Sequence, residues 1–326
     1  MVNHRLCRTR RKVSIVPLTG GLGNQLFQYA FGLYLEVVTG NETMFDQVIG
    51  CPRKIGEAIS LAGVTPSSNA PRFLRKNPSV LRGLYTKAFG WTLRTSLSMD
   101  RNSERATRTL RFLTRFILQI RVRRCLKVVS SQDLGFDSSI KIDKSGMYIG
   151  YFQTFVYAST TKVSKVLQSL TPKTLSAEFS SIQREICEAK PILLHVRLTD
   201  YLKEDKFGIP SISYYQKSFD RLVQVNQFTK VWVFSDDLDG ARRILKNFNR
   251  EVDLHFFEQG NLSDLEVWEL MKNFGGYIIS NSSFAWWSAF LRKDPLAPVC
   301  APEPWFQGMK DPTDLLPSDW IRVDPL

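Results

Sequence analysis

The apolar pattern opens with Val13-Ser14-Ile15-Val16-Pro17-Leu18, a run of strand length that follows a basic stretch from Met1 to Lys12. A glycine-rich turn comes next. Leu26, Phe27, Ala30, Phe31, Leu33, Tyr34 and Leu35 then keep an apolar face at helical spacing as far as Gly40. From about Arg72 to Lys127 the spacing is again helical, with Leu110, Phe112, Leu113, Phe116, Ile117 and Ile120 on one face. Val128-Val129 and Met147-Tyr148-Ile149 predict short strands.

The second half alternates strand and helix. Pro191 to Val196, Val231 to Phe234, Leu254 to Phe257 and Tyr277 to Ser280 are apolar runs of strand length. Between and after them, Tyr214–Val225, Leu238–Phe248, a segment ending at Met271 and Ser283–Leu291 read as helices. Ser263 and Glu266 have the spacing of a capping box at the start of the third. Continuous apolar strands in a β-α-β-α rhythm predict an α/β fold with parallel sheets covered on both faces. Thr- and Ser-rich sequence between about Gln153 and Ser176 marks the join of two domains, 1–160 and 161–326.

Ligands of such sheets gather at the carboxyl ends of the strands. His195-Val196-Arg197, Ser235-Asp236-Asp237 and Asn281-Ser282-Ser283 each fall where a strand runs out. The pattern therefore converges three polar clusters on one crevice.

Composition narrows the class. With 43% hydrophobic and 23% charged residues the chain is globular. Its five cysteines are scattered and odd in number, which argues against a disulfide framework or a zinc knuckle and for a reducing compartment. No run of eighteen apolar residues occurs, and Val13–Leu18 is too short for a signal h-region, so a cytoplasmic location is expected. The net charge of +13 is regional: residues 72–127 hold fifteen Lys/Arg against Asp100 and Glu104. A solvated basic face is the plain reading. Peripheral contact with an anionic inner-membrane surface, where lipid-linked acceptors sit, is the sharper one.

Each cluster carries a chemistry beside a bland alternative. The glycines of Gly20-Gly21-Leu22-Gly23-Asn24-Gln25 let backbone N–H groups approach a phosphate or sugar at a helix N-terminus, or make an ordinary turn. Arg197 offers a planar fork to diphosphate oxygens, or a surface ion pair to Asp200. His195 follows an apolar run and can equally be a satisfied core histidine. Asp237 and Asp239 form an Asp-x-Asp that can hold a divalent metal or cap the next helix, and a single carboxylate here can accept from guanine N–H groups. Ser280 to Ser283 put small donors at a helix N-terminus, an anion site, and Trp286-Trp287 beyond them are either core or a sugar platform.

In order along the chain, Gly20-Gly21-Leu22-Gly23-Asn24-Gln25-Leu26-Phe27-Gln28-Tyr29-Ala30, Gly150-Tyr151-Phe152-Gln153, the HxRxxDY pattern from His195 to Tyr201, Phe234-Ser235-Asp236-Asp237, Asn281 to Trp287, and Ala301-Pro302-Glu303-Pro304-Trp305-Phe306 resemble the motifs of the α1,2-fucosyltransferases, glycosyltransferase family 11. The likeness spans roughly Ser14 to Trp320. The family pattern carries a second arginine and a glycine where this chain has Leu198 and Thr199.

The resemblance implies a GT-B-like architecture, two Rossmann-like domains facing a central cleft, with the acceptor-side domain first and the GDP-fucose-binding domain second. It implies inverting transfer of L-fucose from GDP-β-L-fucose to a galactose hydroxyl as an α1,2-fucoside of O-antigen or surface polysaccharide, with no cofactor and no metal. In that reading Arg197 binds the diphosphate, and Asn281, Ser282 and Ser283 complete the anion cradle. His195 and Asp236, with Ser235 beside them and Asp237 as the alternative, hold guanine and ribose. Gly21, Gly23, Asn24 and Gln25 approach the fucose and phosphates from the other domain. Asp200 is the candidate base that takes the acceptor proton, with Glu204 and Asp205 in reserve. The rival readings are a GDP-fucose transferase of another linkage (α1,6, or onto protein), a metal-dependent transferase, and a basic nucleic-acid- or sugar-binding protein without activity.

Overall fold

The computed structural model describes residues 13–47, 61–65, 82–96, 112–114, 116–118, 120, 127–142, 145–199, 207–248 and 252–326. The chain divides into two compact units, residues 1–170 with 312–315 and residues 171–311 with 316–326. Each is an α/β unit built on a parallel sheet.

In the first unit, β1 (Val13–Pro17) runs into α1 (Leu22–Thr39), and β2 (Glu42–Asp46) returns beside β1. α1 ends at Gly40, whose left-handed backbone (φ 68°) turns its N–H back to the Glu36 carbonyl. Further along come α2 (Arg82–Ser96), β3 (Lys127–Ser130), β4 (Gly146–Ile149), α3 (Phe155–Ala158) and α4 (Thr161–Gln168). The sheet order is β2-β1-β4-β3. All five β1 residues are buried, as an apolar strand beneath helices must be. Val13, Ile15, Val128, Met147 and Ile149 form a core with Tyr85, Ala88 and Phe89 of α2 and with Leu118. On α1, Phe31 stacks on Phe152 with centroids 3.8 Å apart and meets Tyr148 and Tyr157 edge-on.

The second unit begins with α5 (Ala177–Ala189), β5 (Ile192–Val196) and α6 (Ile212–Val225). It continues through β6 (Lys230–Ser235), α7 (Leu238–Ile244), β7 (Asp253–Phe256) and α8 (Asp264–Leu270). β8 (Gly276–Ile278), α9 (Ser283–Phe290), β9 (Val299–Pro302) and β10 (Ile321–Val323) complete it. Its six strands are all parallel, in the order β10-β9-β8-β5-β6-β7. Numbered within the unit this is 3-2-1-4-5-6 read from one edge, the doubly wound Rossmann arrangement. The expected capping box is present: Ser263 accepts from the Glu266 amide, and the Glu266 carboxylate accepts from the Ser263 N–H at 2.9 Å. Glu266 also accepts from the Ser176 N–H at 2.7 Å, which ties the start of α5 to α8. Burial alone would raise the Glu266 carboxyl. Those hydrogen bonds outweigh it and hold the group near 2.

Trp286 and Trp287 are fully buried. Trp286 stacks on Phe290 at 4.7 Å and packs against Trp287 and Trp320. This settles the choice between core and exposed platform in favour of core. Among the described residues no helix is long and apolar enough to cross a membrane.

Candidate active site

A doubly wound sheet opens a crevice where its strand order reverses, because the connections on either side leave in opposite directions. In the second unit that point lies between β5 and β8, which pair through Leu194 and Ile278. The polar residues just beyond both strands therefore meet. Nδ1 of His195, at the end of β5, lies 2.8 Å from Oγ of Ser280, just past β8. His195 is 6% exposed and Ser280 is fully buried. Burial, helped by the nearby Arg197 charge and opposed by Asp236, drives the imidazole down to about 4. His195 is thus neutral at pH 7, a hydrogen-bonding group rather than a cation.

That depressed value makes a testable link to stability. Between pH 6.5 and 4 the unfolded chain protonates this imidazole while the folded chain does not. The stability contributed by neutral His195 is complete above pH 6.5 and is lost as pH falls through that window. Thermal midpoints measured from pH 7 to 4 are expected to fall more steeply in the wild type than in His195→Asn. Equal slopes would refute the burial argument.

The turn after β5 is organised by its neighbour strand. β5 and β6 pair through Val196 and Ser235, which sets Asp236 beside residues 197–199. One Asp236 oxygen accepts from the Leu198 N–H at 2.9 Å. The other accepts from the Thr199 N–H at 3.1 Å and from the Thr199 hydroxyl, and lies 3.3 Å from Nη1 of Arg197. Burial alone would raise the Asp236 carboxyl. The Thr199 hydroxyl, the two amides and the Arg197 charge outweigh it and keep the group below its ordinary range. Asp236, expected to face guanine and ribose, directs much of its hydrogen bonding to fixing the Arg197 turn. Leu198, where the family pattern has a second arginine, is buried in the core.

Asp237 accepts from the Gly240 N–H at 2.9 Å as the N-cap of α7. Of the readings open for Asp-x-Asp, the geometry supplies the cap. A Cβ at Gly240 would stand 2.4 Å from Asp237 Oδ2 and 2.5 Å from Leu198 Cδ1, so a side chain there would force the capping carboxylate or Leu198 to shift. Ser235 Oγ donates to the Asp237 carbonyl and accepts from its N–H, both at 3.0 Å. It shapes the loop.

Past β8, Ser282 is the N-cap of α9 and makes no side-chain cap bond. The first-turn amides of Ser283, Phe284 and Ala285 have no carbonyl within the helix to reach, so this end favours an anion. Asn281, expected among the anion donors, uses its side-chain amide differently. Its Nδ2 donates to the carbonyls of Phe207 (2.6 Å), Gly208 (3.1 Å) and Trp305 (3.1 Å). It clips two loops to the end of β8.

The first unit has its own reversal point, between β1 and β4, which pair through Ser14–Gly146 and Ile15–Met147. The glycine loop follows β1, and Gly150 to Gln153 follow β4. Gln28 joins the two, accepting from the Thr19 N–H at 2.8 Å and donating to the Gly150 carbonyl at 3.1 Å. Gln153 donates to Oδ1 of Asn24 at 2.9 Å. Gln25 is buried and braces the turn, donating to the Gly20 carbonyl at 2.8 Å and accepting from the Leu61 N–H at 2.9 Å. Gly20 has φ 75°, a backbone only glycine holds at no cost. Gly21 is the N-cap of α1, and no atom lies within 4 Å of where its Cβ would stand, so a ligand can approach that backbone. Gly23 lies buried in the first turn of α1.

Asp200, the expected base, and its reserves Glu204 and Asp205 lie outside the described residues, as does Tyr201. Sequence reasoning gave no part of their own to Thr199 or Gln28. Two buried glutamines on a largely apolar helix right after a glycine turn were the legible signal for the second of these.

The profile of Glycosyl transferase family 11 matches residues 137–316. An alpha-1,2-colitosyltransferase of Escherichia coli is 27% identical over 330 aligned positions, 96% of this chain and 99% of that protein. The O-antigen biosynthesis glycosyltransferase WbnK of Escherichia coli is 29% identical over 147 positions, 43% of this chain and 47% of that protein. Among solved structures, the fucosyltransferase NodZ from Bradyrhizobium aligns at 13% identity and a TM-score of 0.44, over 87% of this chain and 94% of that one.

Proposed function

The chain belongs to glycosyltransferase family 11, and we propose that it transfers L-fucose from GDP-fucose to a galactose hydroxyl in α1,2 linkage, with inversion and without a metal. The acceptor in this reading is an O-antigen or surface-polysaccharide glycan, in keeping with the name of the relative WbnK, an O-antigen biosynthesis glycosyltransferase. The observation that carries the proposal is the pairing of β5 with β8 at the reversal point. It puts a fixed arginine and an anion-favouring helix terminus on neighbouring strand ends.

The chemistry follows from charge. As the C1–O bond to the β-phosphate breaks, the phosphate gains negative charge and the sugar ring approaches an oxocarbenium ion. Arg197 and the first-turn amides of α9, with Ser282 and Ser283, take up that phosphate charge. Donors fixed in place act strongly here because nothing need reorganise as the charge appears. Neutral His195 and Asp236 orient the nucleoside end and the arginine. In the first unit, the open backbone at Gly21 suits contact with a sugar or phosphate. Asp200 is the proposed base on the face opposite the leaving group, ahead of Glu204 and Asp205.

A second reading has a specific observation behind it, the relative named for colitose. Colitose is the 3-deoxy counterpart of L-fucose, so the two donors differ by one hydroxyl. A site that hydrogen-bonds a hydroxyl rejects the analogue lacking it by about 10⁴–10⁵. The test is a panel of galactose-terminated acceptors with GDP-fucose or GDP-colitose, with and without EDTA, products read by mass spectrometry and linkage by NMR. Fucosyl transfer in α1,2 linkage, unchanged by chelator, is expected. Turnover with GDP-colitose alone would move the donor assignment, and loss in EDTA would end the metal-free mechanism.

A further inference from the structure

The basic segment has a feature that its charge does not explain. α2 turns Tyr85, Ala88, Phe89 and Thr92 inward, and on its outer side it exposes Leu84 (46%), Lys87 and Trp91 (51%). Leu84 and Trp91 are seven residues apart and share one face. The helical residues 112–114, 116–118 and 120 bury Thr114 and Leu118. They expose Phe112 (76%), Leu113 (52%), Phe116 (38%) and Ile120 (41%). Positions 112, 116 and 120 fall at i, i+4 and i+8, a continuous outward stripe. A helix covered by water alone would carry polar residues there. Leu118 and Ile117 pack in the same core as the inner face of α2, so both outward faces look away from that core.

We propose that the outward faces of α2 and of the 112–120 stretch dock on an anionic lipid surface. Two observations select that occupant. Residues 72–127 carry fifteen Lys/Arg against two acidic residues, and in the sequence arginines at 108, 111, 115, 121, 123 and 124 accompany the residues of the apolar stripe. A second copy of this chain would bring the same positive charge against it, whereas anionic lipid headgroups supply the opposite charge. Aromatic and aliphatic side chains flanked by arginines are also what an interfacial helix needs, with the apolar side entering the headgroup–acyl boundary and the cations lying on the phosphates. Charge alone gives reversible attraction, and the apolar stripe is the second signal that holds the contact.

The proposal is independent of the donor assignment. The full-length protein is floated with phosphatidylcholine vesicles, with or without about 30% phosphatidylglycerol, at low and high salt, the anionic fraction being what attracts basic segments. Flotation is expected only with the anionic vesicles, weakening severalfold at high salt as the charges are screened. The double variant Phe112→Ser/Leu113→Ser, which keeps every charge, is expected to lower vesicle affinity by about tenfold or more. Its thermal midpoint and its turnover of a water-soluble acceptor are expected to stay as in the wild type, since both side chains face outward. Unchanged flotation of the variant, or no flotation of the wild type at low salt, overturns the proposal. So does a dimer in solution that the variant converts to monomer, because the stripe would then be a self-interface. A wild type that floats but transfers no fucose leaves the lipid contact standing and sinks only the donor reading.

Discussion

Arg197→Lys is expected to lower kcat/KM for sugar transfer by about 10²–10³-fold, the usual loss when one fixed donor to developing charge is removed. The thermal midpoint is expected to move little. Arg197 is 31% exposed, and its pair with Asp236 at 3.3 Å is of the partly solvated kind. Such pairs contribute about 0–1 kcal/mol to stability, whereas the catalytic loss corresponds to about 2.7–4 kcal/mol in the transition state. The two magnitudes separate a catalytic role from a structural one. Lysine keeps the charge, so an intact rate would mean that a point charge suffices and the planar fork is not used. Asp236 holds one side of the guanidinium and also receives the amides of residues 198 and 199. The fork therefore leaves the strand end in a set direction, which an ammonium on a flexible stem does not inherit. A fall in the midpoint that matched the fall in rate would mean that the arginine serves the fold instead.

Much of this site was legible because parallel sheets impose a rule on where polar residues collect. Buried strands read as continuous apolar runs, so the ends of β5, β6 and β8 were visible as the points where the clusters of His195, Ser235 and Asn281 begin. The capping box at Ser263 was visible because both partners are local. The less visible elements were those whose pattern is mixed. β2 alternates as Glu42-Thr43-Met44-Phe45-Asp46, and β10 is three residues with a charged centre. α5 is amphipathic with only Phe179 and Ile186 buried, so no strong apolar face announces it. Within the site, types of residue were easier to read than their partners. An asparagine before a helix suggests an anion donor, yet Asn281 is turned to three carbonyls from residues 74, 73 and 24 positions away. Spacing along the chain does not encode such distant acceptors. The same holds for Asp236, whose partners lie 37 and 38 residues upstream and meet it only through the register of β5 on β6.

Trp286→Ala is expected to destabilise the second unit by about 3–5 kcal/mol, the range for deleting a fully buried tryptophan. The side chain has no exposed surface and touches three other aromatic rings: Trp287 at 4.9 Å, Phe290 at 4.7 Å and Trp320 at 5.5 Å. Removing it leaves a cavity that none of these rings can collapse into without giving up its own contacts. Against a typical total stability of about 5–15 kcal/mol the loss is large, and it corresponds to a fall in thermal midpoint of about 6–20 °C for a unit of this size. The consequence for activity is indirect but definite. Trp286 lies in α9, whose first-turn amides form the proposed phosphate site, and its N–H donates to the Ser282 carbonyl at 2.8 Å. Loosening the packing behind α9 lets its N-terminus shift, and a small displacement of donors weakens their hold on developing charge. Activity measured well below the new midpoint should fall together with stability, and Trp286→Phe should restore part of both because a ring still fills the stack. A Trp286→Ala protein with an unchanged midpoint and a selective rise in KM for the sugar acceptor would instead mean that the indole meets substrate, contrary to its complete burial.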